Sequence, residues 1–243
     1  MEATLIESIL KVEDRHWWFQ GRRRIVLHVL QRFIENKKGR VLEIGCGSGA
    51  NFEVLAQFGE LYAVEMDETS RNAANQRNST QVHNGHLPDG INLPESSFDL
   101  VALLDVLEHI KEDKTALVAV SKLLNPGGCM IVTVPAFQFL WSHHDELNHH
   151  FRRYTKGCLN SLLREAGLTL LYTTYANFFL FPLMLAHRLL GNLLPRKKNA
   201  NIHVPPPPVN RVLQAIFSRE RHLMPTISYP FGSSALALAQ KQA

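Results

Sequence analysis

Short apolar runs and segments with helical periodicity follow one another along the chain. Apolar runs suited to strands lie at 41–44, 61–64, 80–83, 100–104, 129–134, 168–175 and 234–239, the run at 80–83 being the weakest. Helical spacing is found at 25–33, 51–58, 111–124, 155–166, 178–194 and 210–222. The pattern predicts alternating strands and helices, separated by strong stop signals such as Asn125-Pro126-Gly127-Gly128.

The first strand runs directly into a glycine-rich turn at 45–49. Glycines at alternate positions remove the Cβ atoms that would block a ligand, and they permit positive φ values. The helical segment at 51–58 would direct its free N–H groups toward whatever binds in the turn. Ala50 stands where a dinucleotide fingerprint has its third glycine. The turn therefore predicts a nucleotide-binding crevice, without identifying the nucleotide.

Composition and charge narrow the class of protein. The 243 residues are 45% hydrophobic, which fits one domain with additions. The net charge of +4 comes from local clusters, so no nucleic-acid partner is expected. Three cysteines without C-x-x-C spacing predict reduced thiols, and the first ten residues lack the pattern of a secretory signal. A cytoplasmic location is therefore expected.

The most apolar segment, 176–194, is not expected to cross a membrane. Four residues interrupt it: Pro182, His187, Arg188 and Asn192. Residues 178–198 combine aromatic side chains with basic ones. Packing on the core, or contact with a second copy in a homodimer, is the favoured interpretation, and peripheral contact with a membrane surface is the alternative.

Four motifs resemble those of class I S-adenosylmethionine-dependent methyltransferases and occur in the same order. They are E-I-G-C-G-S-G at 43–49, the acidic Glu65 after the second strand, L-P-x-x-S-F-D-L-V with D-V-L-E-H-I at 93–110, and L-x-P-G-G at 124–128. Two further stretches are similar to a bacterial small-molecule branch of this superfamily. They are H-W-W-F-x-G-R-R-R at 16–24, and W-S-x-H-D followed by H-x-R-R-Y-T within 141–155.

The resemblance implies an α/β, Rossmann-like class I methyltransferase fold. Its sheet would have seven mostly parallel strands, with helices on both faces and an antiparallel last strand. The expected segments are an N-terminal helical lid at 1–38, the S-adenosylmethionine-binding core at 39–177, a helical insertion with a proline-rich hinge at 178–227, and a last strand at 228–243 that completes the core sheet.

The implied cofactor is S-adenosylmethionine, with S-adenosylhomocysteine as the product. Glu65 suits the two ribose hydroxyls because a carboxylate accepts both hydrogen bonds, and Met66 would lie against adenine. His86 stands where many relatives have an aspartate, so its ring or the nearby backbone would recognise adenine instead. The expected cofactor-binding residues are Glu43, Gly45, Cys46, Gly47, Gly49, Glu65, Met66, His86, Leu87, Asp105 and Val106.

The polar loop at 135–154 should overhang the transferable methyl group. A hydroxyl acceptor needs a base, and the candidates are His144, oriented by Asp145, and His150. For an amine or carboxylate acceptor these histidines would only position it. The expected substrate-binding residues are Trp18, Arg22, His109, Arg152, Arg153 and Tyr154. Histidine and aspartate are abundant here, but their spacing matches no standard zinc pattern, so no metal is expected.

These features predict transfer of a methyl group, by in-line displacement, to an oxygen or nitrogen of a small molecule, a class that includes lipid- and sugar-linked acceptors. A peptide natural product is the alternative acceptor. Two rival classes are a non-catalytic S-adenosylmethionine-binding module and an NAD(P)-dependent reductase, which would share the glycine turn.

Overall fold

A single seven-stranded sheet organises the chain. The computed structural model describes residues 3–35, 38–191 and 202–242. The strand order is β3-β2-β1-β4-β5-β7-β6. The strands are β1 Gly39–Ile44, β2 Gly59–Val64, β3 Val82–His83, β4 Phe98–Leu104, β5 Leu124–Pro135, β6 Leu168–Ala176 and β7 Ser234–Lys241.

Strand direction divides the sheet into two parts. Strands β1 to β5 run parallel, with β1 paired to both β2 and β4. Strand β7 lies antiparallel between β5 and β6. Strands β2 and β3 lie on one side of β1, and β4 and β5 lie on the other, so the order of strands switches between β1 and β4. Open α/β sheets bind their ligands at the carboxyl ends of the strands beside such a switch point. The predicted mixed α/β sheet with an antiparallel last strand is confirmed.

The described helices include one at each of the six segments with helical spacing and three more that the spacing did not predict. They are α1 Ala3–Val12, α2 Trp17–Phe33, α3 Phe52–Leu55, α4 Glu68–Asn75, α5 Asp113–Leu123, α6 His143–Leu147, α7 Lys156–Glu165, α8 Phe181–Gly191 and α9 Pro207–Arg219. Short 3-10 turns lie at Ala56–Phe58, Leu107–His109, Gln138–Leu140 and Glu220–His222. Pro207 and Pro208 form the first turn of α9, where a missing N–H costs nothing, so the proline tract begins a helix.

Local capping explains several of these boundaries. Asp67 accepts a hydrogen bond from the Ser70 N–H at 2.7 Å and begins α4. Thr155 caps α7 in the same way, and α7 is followed by Gly167 with a φ of +81°. Asp99 accepts from the backbone N–H of Arg40 at 2.8 Å, which ties β4 to the start of β1.

The core lies around the two central strands. Five consecutive residues of β4, Leu100 to Leu104, are buried, as is the run from Cys129 to Val134 in β5. Strands that are buried on both faces have continuous runs of apolar residues, so β4 and β5 could be recognised from the sequence.

Helix α9 from the insertion packs on the N-terminal helix α2. The rings of Trp17 and Phe217 meet edge to face at 5.9 Å, and Phe217 lies against Gly21. Asn210 accepts from the Trp17 N–H at 2.9 Å and donates to the Arg15 carbonyl at 2.8 Å. Helix α9 of the insertion thus packs on the rest of the protein.

The basic cluster at 196–198 lies outside the described residues. Within the described ranges, no helix is both long and apolar enough to cross a membrane.

Candidate active site

The carboxyl ends of β1, β2, β4 and β5 bring four loops to one edge of the sheet. These loops carry the glycine turn, Glu65, the segment from Asp105 to His109, and the polar loop that follows β5. The N-terminal helix α2 reaches the same edge through Arg22. These elements carry most of the segments expected to bind cofactor or acceptor, and the segment of His86 and Leu87 follows β3.

Two glycines of the turn have different roles. Gly45 has a φ of +69°, and a Cβ atom there would lie 2.7 Å from the Val106 side chain, so this position must stay small to pack against the loop after β4. Gly47 has a φ of +56°, and a Cβ atom there would meet no atom within 4 Å among the residues described. The turn therefore presents bare backbone to open space. Cys46 is buried, and burial raises the pKa of its thiol well above its usual value.

Glu65 connects the second strand to the glycine turn. Its carboxylate accepts from the Gly47 N–H and the Asp67 N–H, each at 2.8 Å. Burial raises the pKa of Glu65, although these hydrogen bonds act in the opposite direction. Each carboxylate oxygen retains a lone pair, and the side chain of Met66 beside it is 67% exposed. A buried acceptor next to an exposed apolar surface fits a ribose and its base.

Glu43 lies beneath the turn and supports it. It is 1% exposed and accepts from the Asn51 amide at 2.7 Å, and its second oxygen has no hydrogen-bond partner among the described residues. Burial raises the pKa of Glu43 to about 8. The structure therefore indicates a positioning role for Glu43, where contact with the cofactor was expected.

Asp105 joins the sheet edge to the N-terminal lid. It has a φ of +60°, and Thr133 on β5 donates to its carboxylate at 3.2 Å. The other carboxylate oxygen forms an ion pair with Arg22, whose guanidinium lies 4.9 Å from the centre of the Trp18 ring. Burial lowers the pKa of Arg22 to about 10, so it remains a cation at neutral pH. Arg22 thus connects the N-terminal helix to the end of β4 through an internal ion pair, and substrate binding by Trp18 and Arg22 stays a prediction.

The segment expected to recognise adenine forms a tight turn. The Gly90 N–H donates to the His86 carbonyl at 2.8 Å, and Leu87 is half-buried inside this turn. The His86 ring is exposed, with its Nε2 3.7 Å from the Asp89 carboxylate. Both residues remain proposals for the cofactor site.

Asp145 orients His150. Its carboxylate lies 2.9 Å from His150 Nδ1 and receives two hydrogen bonds from Arg153, at 2.8 and 2.9 Å. Burial alone would raise the pKa of Asp145, but these hydrogen bonds outweigh it and hold the pKa below its usual value. His144 is exposed on α6, with Nε2 3.2 Å from the Asn148 amide. The orienting contact expected for His144 is thus made to His150, which corrects the predicted pairing.

Three residues expected to bind substrate anchor the loop instead. Tyr154 is 1% exposed and donates to Asp113 at 2.9 Å. Arg152 forms an ion pair with the same carboxylate at 2.6 Å, and Arg153 has a 4% exposed side chain paired with Asp145. Their polar ends are occupied by internal partners, so the structure corrects the expected role of Arg152, Arg153 and Tyr154.

Glu108, the glutamate of the D-V-L-E-H-I motif, is a functional candidate beyond the residues expected to bind cofactor or acceptor. It is 1% exposed, and burial raises its pKa to about 8. The rings of His109 and His150 meet edge to face at 4.6 Å beside it. Burial and the charge of His150 lower the pKa of His109 to about 3, so its ring is neutral at neutral pH. The E-H pair directly after a buried strand was the signal in sequence.

Exposed aromatic side chains lie on the neighbouring loops. Phe137, Phe181 and Phe231 form part of a cluster of rings around the loop after β5 and the start of α8. Phe139 is 68% exposed and Phe151, next to His150, is 53% exposed. Large apolar groups that face solvent next to a site commonly mark a binding surface.

Comparison with known proteins identifies the family. The family model described as "Methyltransferase domain" matches residues 18–173, which is more than half of the chain. The chain belongs to the S-adenosylmethionine-dependent methyltransferase family. The expected family and its cofactor are thereby confirmed, and the family is distinct from the NAD(P)-dependent reductases considered as a rival.

Two curated relatives show how far the likeness in sequence extends. This methyltransferase is 29% identical over 165 residues to a probable S-adenosylmethionine-dependent methyltransferase of Mycolicibacterium smegmatis, covering 66% of this chain and 62% of that protein. It is 29% identical over 150 residues to a ubiquinone biosynthesis O-methyltransferase of Maricaulis maris, covering 54% and 59%. The chain thus spans about three-fifths of the length of these relatives.

A solved structure shares the fold. A possible histamine N-methyltransferase of Thermotoga maritima superimposes with a TM-score of 0.61 at 18% identity, covering 99% of this chain and 100% of that one. At this level of identity the likeness concerns the fold alone.

Proposed function

We propose that this methyltransferase transfers a methyl group from S-adenosylmethionine to a hydroxyl oxygen of a small-molecule acceptor. The contact between Asp145 and His150 carries the proposal, because an oriented imidazole beside a buried carboxylate is suited to activating a hydroxyl group. An amine acceptor would need no such arrangement. The two curated relatives described above include an O-methyltransferase, which agrees with this choice.

The cofactor is proposed to bind at the carboxyl ends of the parallel strands. Bound S-adenosylmethionine supplies an electrophilic methyl group on a sulfonium that leaves as a neutral sulfide. Glu65 would accept hydrogen bonds from the ribose hydroxyls, and Met66 would cover the adenine. The bare backbone at Gly47 leaves room for the adenosyl group. Asp105, held by Arg22, would meet the amino-acid part of the cofactor.

The acceptor side is assigned to the cluster of Glu108, His109 and His150. These residues follow β4 and β5, so an acceptor bound there lies next to the end of the sheet at which the cofactor binds. The hydroxyl would lose its proton at this cluster as the oxygen attacks in line with the bond from sulfur to methyl. Alignment of these atoms supplies a large part of the catalysis.

The acceptor is proposed to have an apolar part. Phe151 follows His150 directly and is 53% exposed, and Phe139, in the loop after β5, is 68% exposed; a lipid-linked or aromatic acceptor would cover such rings. A sugar alone would leave both rings in water.

The test is a screen for S-adenosylhomocysteine formation with matched pairs of acceptors, each hydroxylated compound set against its amine counterpart. Hydroxylated aromatic and polyprenyl compounds should be methylated, whereas their amine counterparts should not. Turnover with the amines alone would overturn the choice of oxygen. His150→Gln should lower turnover by about 100-fold or more while leaving cofactor affinity unchanged. His143→Gln, which changes a neighbouring histidine that contacts Glu146, is the matched control.

A further inference from the structure

Three potential metal ligands meet at the acceptor side of the site. Glu108, His109 and His150 each offer one ligand atom, and these three atoms lie within 4.8 Å of one another. Glu108 and His109 come from the turn after β4, and His150 comes from the loop after β5, about 40 residues later. No local spacing in the sequence could reveal such a set, which is why a metal was not expected.

Glu108 is the strongest element of this set. It is 1% exposed, and its Oε2 atom has no hydrogen-bond partner among the residues the structure describes. A carboxyl group at this depth can be ionised only beside a cation or a metal, because an unpaired buried carboxylate is costly. The two nearest guanidinium groups have carboxylate partners of their own, because Arg22 pairs with Asp105 and Arg153 pairs with Asp145.

His150 is held in the orientation of a metal ligand. Its Nδ1 faces Asp145 at 2.9 Å, which leaves Nε2 directed toward Glu108. Histidine ligands in metal sites typically donate their other ring N–H to a carboxylate in this way. The separation of 4.0 Å between His150 Nε2 and Glu108 Oε1 is too long for a hydrogen bond. The two groups therefore face each other across a gap.

We propose that Glu108, His109 and His150 bind one divalent transition-metal cation. Two imidazole nitrogens and one carboxylate oxygen form a donor set suited to ions such as Zn²⁺, Co²⁺, Mn²⁺ or Fe²⁺. Bonds of about 2.1 Å bring ligand atoms to about 3.0–3.4 Å from one another, so rotations of the three side chains must close the present gaps. His109 is half-buried, and its ring already packs against that of His150.

Three protein ligands leave coordination positions for an acceptor oxygen. This role rests on the proposed function. The cation would bind the acceptor hydroxyl and lower its pKa, so that its proton passes to solvent before or during attack. The oxygen then forms its bond to the methyl carbon as the bond from carbon to sulfur breaks, and both electrons of that bond stay on sulfur. His150 acts on the acceptor through the cation, with Asp145 as its positioning residue.

Binding of Co²⁺ to the full chain, after metal has been removed with a chelator, tests the site without cofactor or acceptor. One equivalent should bind, with visible absorption bands of nitrogen and oxygen ligation and without the near-ultraviolet band of thiolate ligation. That band would place the metal on cysteine. Either its appearance or a failure of Co²⁺ to bind would overturn the proposal.

Variants locate the cation. Glu108→Gln and His109→Asn should each weaken Co²⁺ binding by about 100-fold or more, and Asp145→Asn by about 10–100-fold through loss of the oriented imidazole. His143→Gln should bind as the wild type does. Because Asp145 is also paired with Arg153, S-adenosylmethionine binding and circular dichroism serve as checks of folding. Retention of wild-type Co²⁺ affinity in both Glu108→Gln and His109→Asn would rule out this site.

The methyl-transfer assay separates the two proposals. Hydroxyl methylation that stops on metal removal and returns with Co²⁺ or Mn²⁺ supports both. Unchanged methylation by metal-free enzyme would overturn the catalytic role of the cation and leave the proposed function intact. Co²⁺ binding at the cluster, with methyl transfer only to amines, would leave the metal site standing and overturn the proposed function.

Discussion

Arg22 in α2 and Asp105 at the end of β4 form an ion pair across 83 positions of sequence. Both side chains are largely buried, with exposed fractions of 12% and 20%. The pair fixes the N-terminal helix over the part of the site assigned to the amino-acid end of the cofactor. A partly buried ion pair in this position affects ligand binding more directly than an exposed one would.

Replacement of Arg22 should weaken cofactor binding. In Arg22→Gln, Asp105 loses its ionic partner and α2 loses its ion pair with the end of β4. We expect S-adenosylmethionine binding to weaken by about 1.5–3 kcal/mol in calorimetric titration. Arg24→Gln changes an exposed arginine on the same helix and should bind normally. Equal affinities in the two variants would remove Arg22 from the cofactor site.

Glu65 should contribute to cofactor affinity through hydrogen bonds from the ribose hydroxyls. Glu65→Gln keeps the shape of the side chain but removes the charge and half of its accepting capacity, so S-adenosylhomocysteine should bind about 1.5–3 kcal/mol more weakly. Glu60→Gln, on the exposed side of the same strand, is the control. An analogue without the ribose hydroxyls should show little difference between Glu65→Gln and the wild type. A full loss with this analogue would indicate that Glu65 acts only by holding the glycine turn.

Alanine variants of Gly47 and Gly127 test whether the cofactor occupies the space beside the glycine turn that contains Gly47. Both have positive φ values, +56° and +79°, and a Cβ atom at either would meet nothing within 4 Å in the described structure. Alanine should therefore cost each variant about 1–2 kcal/mol of unfolding free energy from backbone strain. Only Gly47→Ala should also lose cofactor affinity, because only its added methyl group enters the space assigned to the ligand. Equal binding in the two variants would contradict that assignment.

Glu220 should make stability depend on pH. It is fully buried at the start of the turn after α9, and it accepts from the N–H groups of Asn177 and Phe179 at 2.7 and 3.0 Å. Burial raises its pKa from 4.5 to about 7. The folded chain therefore holds this proton more tightly than the unfolded chain. Its contribution to the unfolding free energy is largest below pH 4.5 and falls as pH rises to about 7, by roughly 2–3 kcal/mol.

Urea denaturation between pH 5 and pH 8 measures this contribution. The unfolding free energy of Glu220→Gln should fall less steeply over this range than that of the wild type. Glu95→Gln, in an exposed loop, should follow the wild-type curve. Because Glu43 and Glu108 also have raised pKa values, the informative quantity is the difference between the curves. Parallel curves for Glu220→Gln and the wild type would contradict the prediction.

Much of the fold could be predicted because its signals are local. A strand buried on both faces, such as β4, needs an unbroken apolar run, and a helix end such as that at Gly167 needs a residue tolerant of positive φ. The weak prediction for β3 has the same origin, since two residues give little pattern. The seven-stranded sheet with an antiparallel last strand was predicted from resemblance to a known family, because periodicity alone does not say which strands are neighbours or how they run.

The site was harder to predict because partners distant in sequence decide what a side chain does. Arg152 and Tyr154 have the residue types of an anion-binding loop, but Asp113 satisfies both of them. Adjacent residues in a helix do not face each other, so His144 is poorly placed for orientation by Asp145. The chain turns after α6 and brings His150 back to that carboxylate.

The close packing of α2 on α9 has a consequence for how donor and acceptor bind. With Phe217 against Gly21 there is no room for one helix to shift without the other. A displacement of α9 on acceptor binding would therefore also move α2, which carries Arg22 and its ion pair with Asp105. Any factor by which a bound acceptor tightens the hold on S-adenosylmethionine must equal the factor by which S-adenosylmethionine tightens the hold on the acceptor.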